Sequence, residues 1–553
     1  MNRVQYPRFL AGAVKDEPSN IKSATALVQW LYAGSNPALR KRMVNADLNK
    51  IHPAIQQLPE RRIIMLNFLK KESNSTYTEN GGIAYRSTES YCLDMFFKAG
   101  AMRNSSEQEI AETVIRAYAE DPDKTMKIIF FARDAREGLG ERRFFRIAIS
   151  ELVKFAPEAV RNNIHLFAEY GRFDDLCVLI DTPLENAAVE LIDDQLKLDI
   201  AAMAAGENIS LLAKWLPSVN ASSKTTRNLG RRIAGLLGMT EIKYRKTLSA
   251  LRRYIGIIEN NLRERDYTFK YEVQPSCAMF KYRNAFIRND QERYSEFLNK
   301  VHSGETKLHA DRLFPYDIVR AAMNGNISAE EKLSLDAAWK SLPDLSAAKH
   351  ENAIAVIDGS GSMTCGSGIR PIDAALSLGI YFAEHNSGAF SDHFITFSAT
   401  PQIVKIQGKD IVEKVRYCRT FNEVSNTDLE AVFMLLLKTA LKNRVPRSEL
   451  PTKLYIITDM QFDYCVTGGN NKALFTSMKQ LYNKNGYELP EIIFWNVNSR
   501  NNAMPVTRSE TGAALVSGYS PAVFDMVIGG ECSPETVMDN IISSERYSRI
   551  TAA

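Results

Sequence analysis

The stretch NAIAVIDGSGS, Asn352 to Ser362, joins a run of small and branched apolar residues to a turn made only of glycine, serine and one aspartate. A run that is apolar at successive positions predicts a strand buried on both faces. Three similar runs follow: HFITF from His393 to Phe397, KLYII from Lys453 to Ile457, and EIIFWNV from Glu491 to Val497. Helical periodicity fills the intervals, notably Ile372 to Glu384, Asp428 to Lys442 and Lys472 to Tyr482. Buried strands alternating with helices make a parallel sheet covered on both faces, so residues 350–553 are expected to form a doubly wound, Rossmann-like α/β domain. Ligands of such sheets sit at the carboxyl ends of the strands.

The turn itself carries chemistry. In Asp358-Gly359-Ser360-Gly361-Ser362 a carboxylate and two hydroxyls converge as hard oxygen donors, the kind that magnesium and manganese favour in an octahedral shell rich in water. Thr427, at the start of the helix predicted from Asp428, and Asp459, just past the strand predicted at 453–457, complete the set. The constellation resembles the metal-ion-dependent adhesion site (MIDAS) of von Willebrand factor A (vWA) domains, over roughly Asn352 to Ser544. The resemblance implies that Ser360, Ser362 and Thr427 ligate Mg2+ or Mn2+ directly and that Asp358 and Asp459 hold it largely through waters. It also implies that a partner's carboxylate fills the open coordination position. The alternative is a metal-free Gly/Ser turn with Asp459 as a helix cap.

Catalytic readings find less support in the same residues. Neither Ser360 nor Ser362 lies in a GxSxG string, and the run from Gly359 to Gly368 lacks the GK[ST] ending of a phosphate loop. His52, His165, His302, His309 and His350 are scattered without HExxH spacing, and no motif recruits His385 or His393. No enzyme is expected; a hydrolase using the metal is the weakest option.

Upstream of residue 350 the pattern changes. Apolar residues recur at spacings of three and four, as in Tyr91, Met95, Phe96 and Ala99, and turn signals such as Gly138-Leu139-Gly140 and Trp215-Leu216-Pro217 separate the helices. A multidomain chain is expected, with an all-α array of HEAT-like helix pairs over 80–343, a boundary near 341–350, and a segment 1–79 left unassigned. The 553 residues, 45% hydrophobic and 24% charged, suit globular folding, and the net charge of +4 demands no polyanionic partner. Seven spread cysteines, no signal-peptide-like start and no apolar run of membrane-spanning length lead to the expectation of a cytoplasmic protein without a membrane partner.

Strings in the helical half, including Gly81-Gly82-Ile83-Ala84-Tyr85, Tyr170-Gly171-Arg172-Phe173-Asp174-Asp175 and Ala213-Lys214-Trp215-Leu216-Pro217, look like an uncharacterised family of helical-plus-vWA proteins similar to the TROVE module of the Ro autoantigen. That resemblance implies a ribonucleoprotein role, with single-stranded RNA ends entering a helical ring and structured RNA on its basic face. One segment could carry such binding: Lys214 to Arg293 holds an excess of ten positive charges in a chain of only +4. Lys224, Arg227, Arg231, Arg232, Lys243, Arg245, Lys246, Arg252 and Arg253 are the candidate phosphate contacts, with Tyr244, Tyr254, Tyr267, Tyr271 and Tyr282 for base stacking. The competing reading is a solvated helical face with core tyrosines. Arg133, Arg136, Arg142 and Arg143, interleaved with Asp134, Glu137 and Glu141, are read as an ion-pair network between helices. The expectation is thus a non-enzymatic, Ro-like RNA-binding protein with a metal-binding vWA domain; the alternative is a scaffold whose metal bridges to a partner carboxylate.

Overall fold

The computed structural model describes residues 73–81, 83–344, 352–365, 369–421, 427–462, 471–500, 503–527 and 532–553. Most of the segment 1–79, and the boundary residues 345–350, lie outside them. Asn74–Ala553 form one compact unit, in which a helical N-terminal half and an α/β C-terminal half share a continuous apolar core. Among the described residues no helix is long and apolar enough to cross a membrane.

The unit opens with a short antiparallel hairpin, β1 (Ser75–Tyr77) and β2 (Ile83–Tyr85). Eleven longer helices of the first half follow: α1 (Tyr91–Ala99), α2 (Glu107–Glu120), α3 (Pro122–Arg133), α4 (Arg142–Phe155), α5 (Glu185–Ala205), α6 (Lys224–Leu236), α7 (Glu241–Ile255), α8 (Ser276–Asn289), α9 (Gln291–His302), α10 (Pro315–Ala322) and α11 (Ala329–Lys340). Their starts are written locally. The side chains of Ser90, Ser106, Asp121, Ser223, Thr240 and Ser328 each accept a first-turn amide, which satisfies donors that the helix itself leaves without partners.

The second half is built on a six-stranded sheet of order β5-β4-β3-β6-β7-β8. The strands are β3 (Ala353–Asp358), β4 (His393–Phe397), β5 (Ile403–Lys405), β6 (Lys453–Thr458), β7 (Glu491–Asn496) and β8 (Ala513–Ser517). All neighbours run parallel except β4 and β5. The flanking helices are α12 (Pro371–His385), α13 (Ile411–Arg419), α14 (Leu429–Asn443), α15 (Asn471–Lys484) and α16 (Pro534–Ile542). β3 and β6 are buried at every residue, as their unbroken apolar runs require. The strand order reverses between them, and this is where an open sheet leaves a crevice.

Both ends of the helical half pack on the α/β half: α1 lies against β8, α10 against α12, and α11 against α13. At the first of these seams a Cβ on Gly100 would sit 2.5 Å from the Gly518 Cα. Ser517 Oγ accepts from the Gly100 amide at 3.1 Å and donates to Phe96 O at 3.2 Å. Arg103 stacks on Tyr519, 4.0 Å from the ring centre, and pairs with buried Glu141 at 2.6 Å. The chain's last residues complete the helical half. Arg546 donates to both oxygens of fully buried Asp134, and Thr551 N donates to Asn163 Oδ1.

Of the four arginines expected to form an ion-pair network, Arg133 alone pairs with an acid among the described residues, and the pairing draws on Asp175. Arg133 pairs with Asp175 at 2.7 Å, and Arg146 with Asp174 and Asp175. Asp134 and Glu141 serve Arg546 and Arg103 instead. Arg136 and Arg143 donate to backbone carbonyls, and Arg142 is exposed.

Two stability predictions follow from these contacts. Gly100→Ala lowers thermal stability by about 2 kcal/mol through overpacking of the seam, whereas Gly235→Ala, on an exposed helical site with nothing within 4 Å, raises it by about 0.5–1 kcal/mol. Asp317 on α10 is pushed up to about 6 by burial, against the lowering pull of Arg103, Arg320 and Arg283. A carboxyl whose folded value is raised contributes stability below its unfolded value near pH 4 and loses it as pH climbs through 6. Asp317→Asn should therefore gain on the order of 2 kcal/mol over the unaltered protein above pH 6 and nothing below pH 4, read from melts across a pH series.

Candidate metal centre and basic helical face

β3 and β6 run side by side with Ile357 opposite Ile457, so the turns that follow them share one rim. Asp358 ends β3 and is fully buried. Its Oδ1 accepts from the Ser360 amide at 2.9 Å and its Oδ2 from Thr458 Oγ1 at 2.6 Å. The turn then presents Ser360 Oγ and Ser362 Oγ 3.0 Å apart. Thr427 stands buried before α14, whose cap Asp428 accepts the Ala431 amide; its hydroxyl donates to Gln461 O at 2.7 Å.

Asp459 follows β6 and is 1% exposed, yet among the described residues neither carboxylate oxygen has a hydrogen-bond donor at bonding geometry. Burial and the neighbouring Asp358 raise its carboxyl to about 7, with Ser362 and Arg500 close enough to pull the other way. The nearest cation is Arg500, whose Nη1 lies 3.9 Å from Asp459 Oδ2. A buried carboxylate without donors, beside a second one and two hydroxyls, is costly unless a cation compensates it. Among the described residues no three His, Cys, Asp or Glu are grouped to hold a metal, so the donor set here is two carboxylates with hydroxyls. That set fits Mg2+ or Mn2+ and not a soft metal.

The segment after Asp459 is also gripped from upstream. In the β1–β2 turn, Thr78 Oγ1 donates to Phe462 O, the Glu79 amide to Gln461 Oε1 at 2.9 Å, and Asn80 Nδ2 to Gln461 O at 2.8 Å.

The profile of a domain of unknown function, DUF2828, matches residues 78–190 and 184–358, just over half of the chain. The chain belongs to the DUF2828 family. A second domain of unknown function, DUF7788, matches residues 352–548, so the two matches overlap on β3 and between them span the hairpin turn and the whole oxygen-rich rim. The chain is similar to "Uncharacterized protein L728" of Acanthamoeba polyphaga mimivirus, with 28% identity over 498 residues, 83% of this chain and 85% of that one.

In this DUF2828 protein the basic candidates divide by what already holds them. Arg252 is a brace: its guanidinium donates to Ala213 O, Leu216 O and Ser218 Oγ at 2.6–2.7 Å, and this correction removes it from the phosphate set. Arg232 pairs with Asp181 and Glu185, Arg231 with Glu241, and Arg227 donates to Ala221 O. Lys224, Lys243, Arg245, Lys246 and Arg253 are exposed and form no ion pair among the described residues; the last four share α7. Of the tyrosines, Tyr244 and Tyr271 are core residues and cannot stack on a base, while Tyr254 is 41% exposed.

Sequence reasoning missed Arg500, Gln461 and the hairpin turn. Arg500 had a usable signal, since it follows a predicted strand on the same rim. Replacing Asp459 by Ala should abolish Mn2+ binding measured by calorimetry; unchanged binding in both Asp459→Ala and Ser360→Ala would remove the assignment.

Proposed function

We propose that the chain is a non-enzymatic RNA-binding protein, similar in plan to Ro: a HEAT-like helical array over 80–343 joined to a vWA-like domain over 350–553 that carries a divalent-cation centre. The observation that carries the RNA half is the exposed face of α7, where Lys243, Arg245, Lys246 and Arg253 have no acidic partner among the described residues, although acids are paired with Arg231 and Arg232 close by. Exposed cations without acidic partners along one helix are what a phosphate backbone neutralises. Packing of both helical ends on the α/β half supports a closed array. The strand order and the hydroxyl–carboxylate rim support the vWA-like reading. His385 and His393 direct a ring nitrogen to backbone carbonyls, which favours structural roles for both.

A second reading, a protein-interaction scaffold, is favoured by the buried Asp459 carboxylate, which only a loose Arg500 contact at 3.9 Å offsets, because a cation held there offers an open position to a partner carboxylate.

The two readings separate in one experiment: binding of the purified protein to a structured RNA with a single-stranded 3′ tail across a salt series, with and without chelator. RNA binding gives a steep negative log–log salt slope, flattened by about 3 when Lys243, Arg245, Lys246 and Arg253 are changed to Gln. Absence of binding even at low salt removes the RNA reading and leaves the scaffold.

A further inference from the structure

The β1–β2 turn lies on the candidate metal rim through an arrangement that the vWA-like reading does not require. Arg500 stands between two carboxylates: its Nη1 is 3.9 Å from Asp459 Oδ2 and its Nη2 is 3.6 Å from Glu79 Oε2. Both distances exceed hydrogen-bond range, so the guanidinium compensates charge without being tightly held. It occupies the role of a cation between Asp459 and Glu79, and a cation bound at the rim would compete for the same two groups.

The turn that carries Glu79 is fixed at that place. Thr78 Oγ1, the Glu79 amide and Asn80 Nδ2 all donate to Gln461 or Phe462, the two to three residues after Asp459. Gln461 O accepts from both Asn80 and Thr427, so one carbonyl joins the hairpin to a candidate ligand. On its other side the hairpin exchanges two backbone hydrogen bonds between Tyr85 and Met504, at 2.9 and 2.7 Å. Gly81 turns the chain with a φ of +84°, a conformation that side chains rarely adopt. Glu79 itself remains about half exposed, so its carboxylate is free to change partner while its backbone stays pinned.

We infer that Glu79 is the chain's own carboxylate ligand for the rim cation, released from Arg500 when the cation binds. The inference rests on the divalent-cation reading of Asp358, Ser360, Ser362, Thr427 and Asp459. It changes what that reading predicts: the open coordination position is filled from within.

The test is Mn2+ binding to the full chain by calorimetry, with bound-water counting by Mn2+ relaxation and with acetate as a free carboxylate. Glu79→Gln should weaken Mn2+ by about tenfold or more, add exchangeable water to the bound ion, and recover affinity when acetate is added. The unaltered protein should be insensitive to acetate, and Arg500→Gln should bind Mn2+ more tightly. General loss of negative charge would weaken binding without acetate rescue or added water, and that outcome overturns the inference, as does unchanged affinity in Glu79→Gln. If Mn2+ binds and Asp459→Ala abolishes it while Glu79→Gln has no effect, the tethered ligand alone is lost. If the unaltered protein binds no Mn2+, the centre and the ligand fall together. Glu79 lies exposed on a turn, so matched melting curves show that the variant is folded.

Discussion

Where Gly100 meets Gly518, two backbones approach within the space that a single methyl group would fill. That contact sets the distance between the first helix and the last strand, and other features of the seam depend on it. Ser517 can then reach back to close the carboxyl end of α1, and Arg103 can lie on Tyr519 while meeting Glu141. The hairpin preceding α1 is thereby carried over the strand ends, where it grips the segment after Asp459. The oxygen-rich rim is assembled from both halves of the chain: Asp358, Ser360, Ser362, Thr427 and Asp459 belong to the second, and the hairpin turn that carries Glu79 belongs to the first.

Electrostatics in the molecule divide into charge that is used internally and charge that is left over. Arg133, Arg146 and Arg172 converge on Asp174 and Asp175, Arg546 satisfies Asp134, and Arg252 ties α7 to the Ala213–Ser218 segment through backbone carbonyls. These buried or half-buried groups would be expensive to leave alone, and each is matched. The exceptions have a direction. Among the described residues, Asp459 is buried and has no donor at bonding geometry, and the α7 cations are exposed and have no acidic partner. One is a place where a cation lowers the energy, and the other is a place where an anion does.

Much of the α/β half was legible in sequence because its strands are buried on both faces. The runs beginning at Asn352, His393, Lys453 and Glu491 match β3, β4, β6 and β7 to within a residue or so at either end. β5 was missed because it is three residues on an edge with one buried side chain, and β8 because Ala513–Ser517, AALVS, has no aromatic and one β-branched residue to mark it as a strand. The candidate donors on the DGSGS turn could be read because their chemistry is local. Glu79 could not, since its meaning comes from a hairpin bonded to residues some 380 positions away. The basic segment showed its excess charge in composition. Which arginines were already occupied depended on carbonyls 36–39 residues upstream, as for Arg252.

Asp134 and Arg546 are separated by 412 positions in sequence. Chains emerge from the ribosome at roughly 5–20 residues per second and fold N-terminal part first. The helices around Asp134 are thus made on the order of half a minute before the guanidinium that neutralises their buried carboxylate exists. Over that interval the early helices hold a charge that only the distal end of the same polypeptide can answer. Synthesis through Arg546, and not merely of the helical half, is what allows this fold to close.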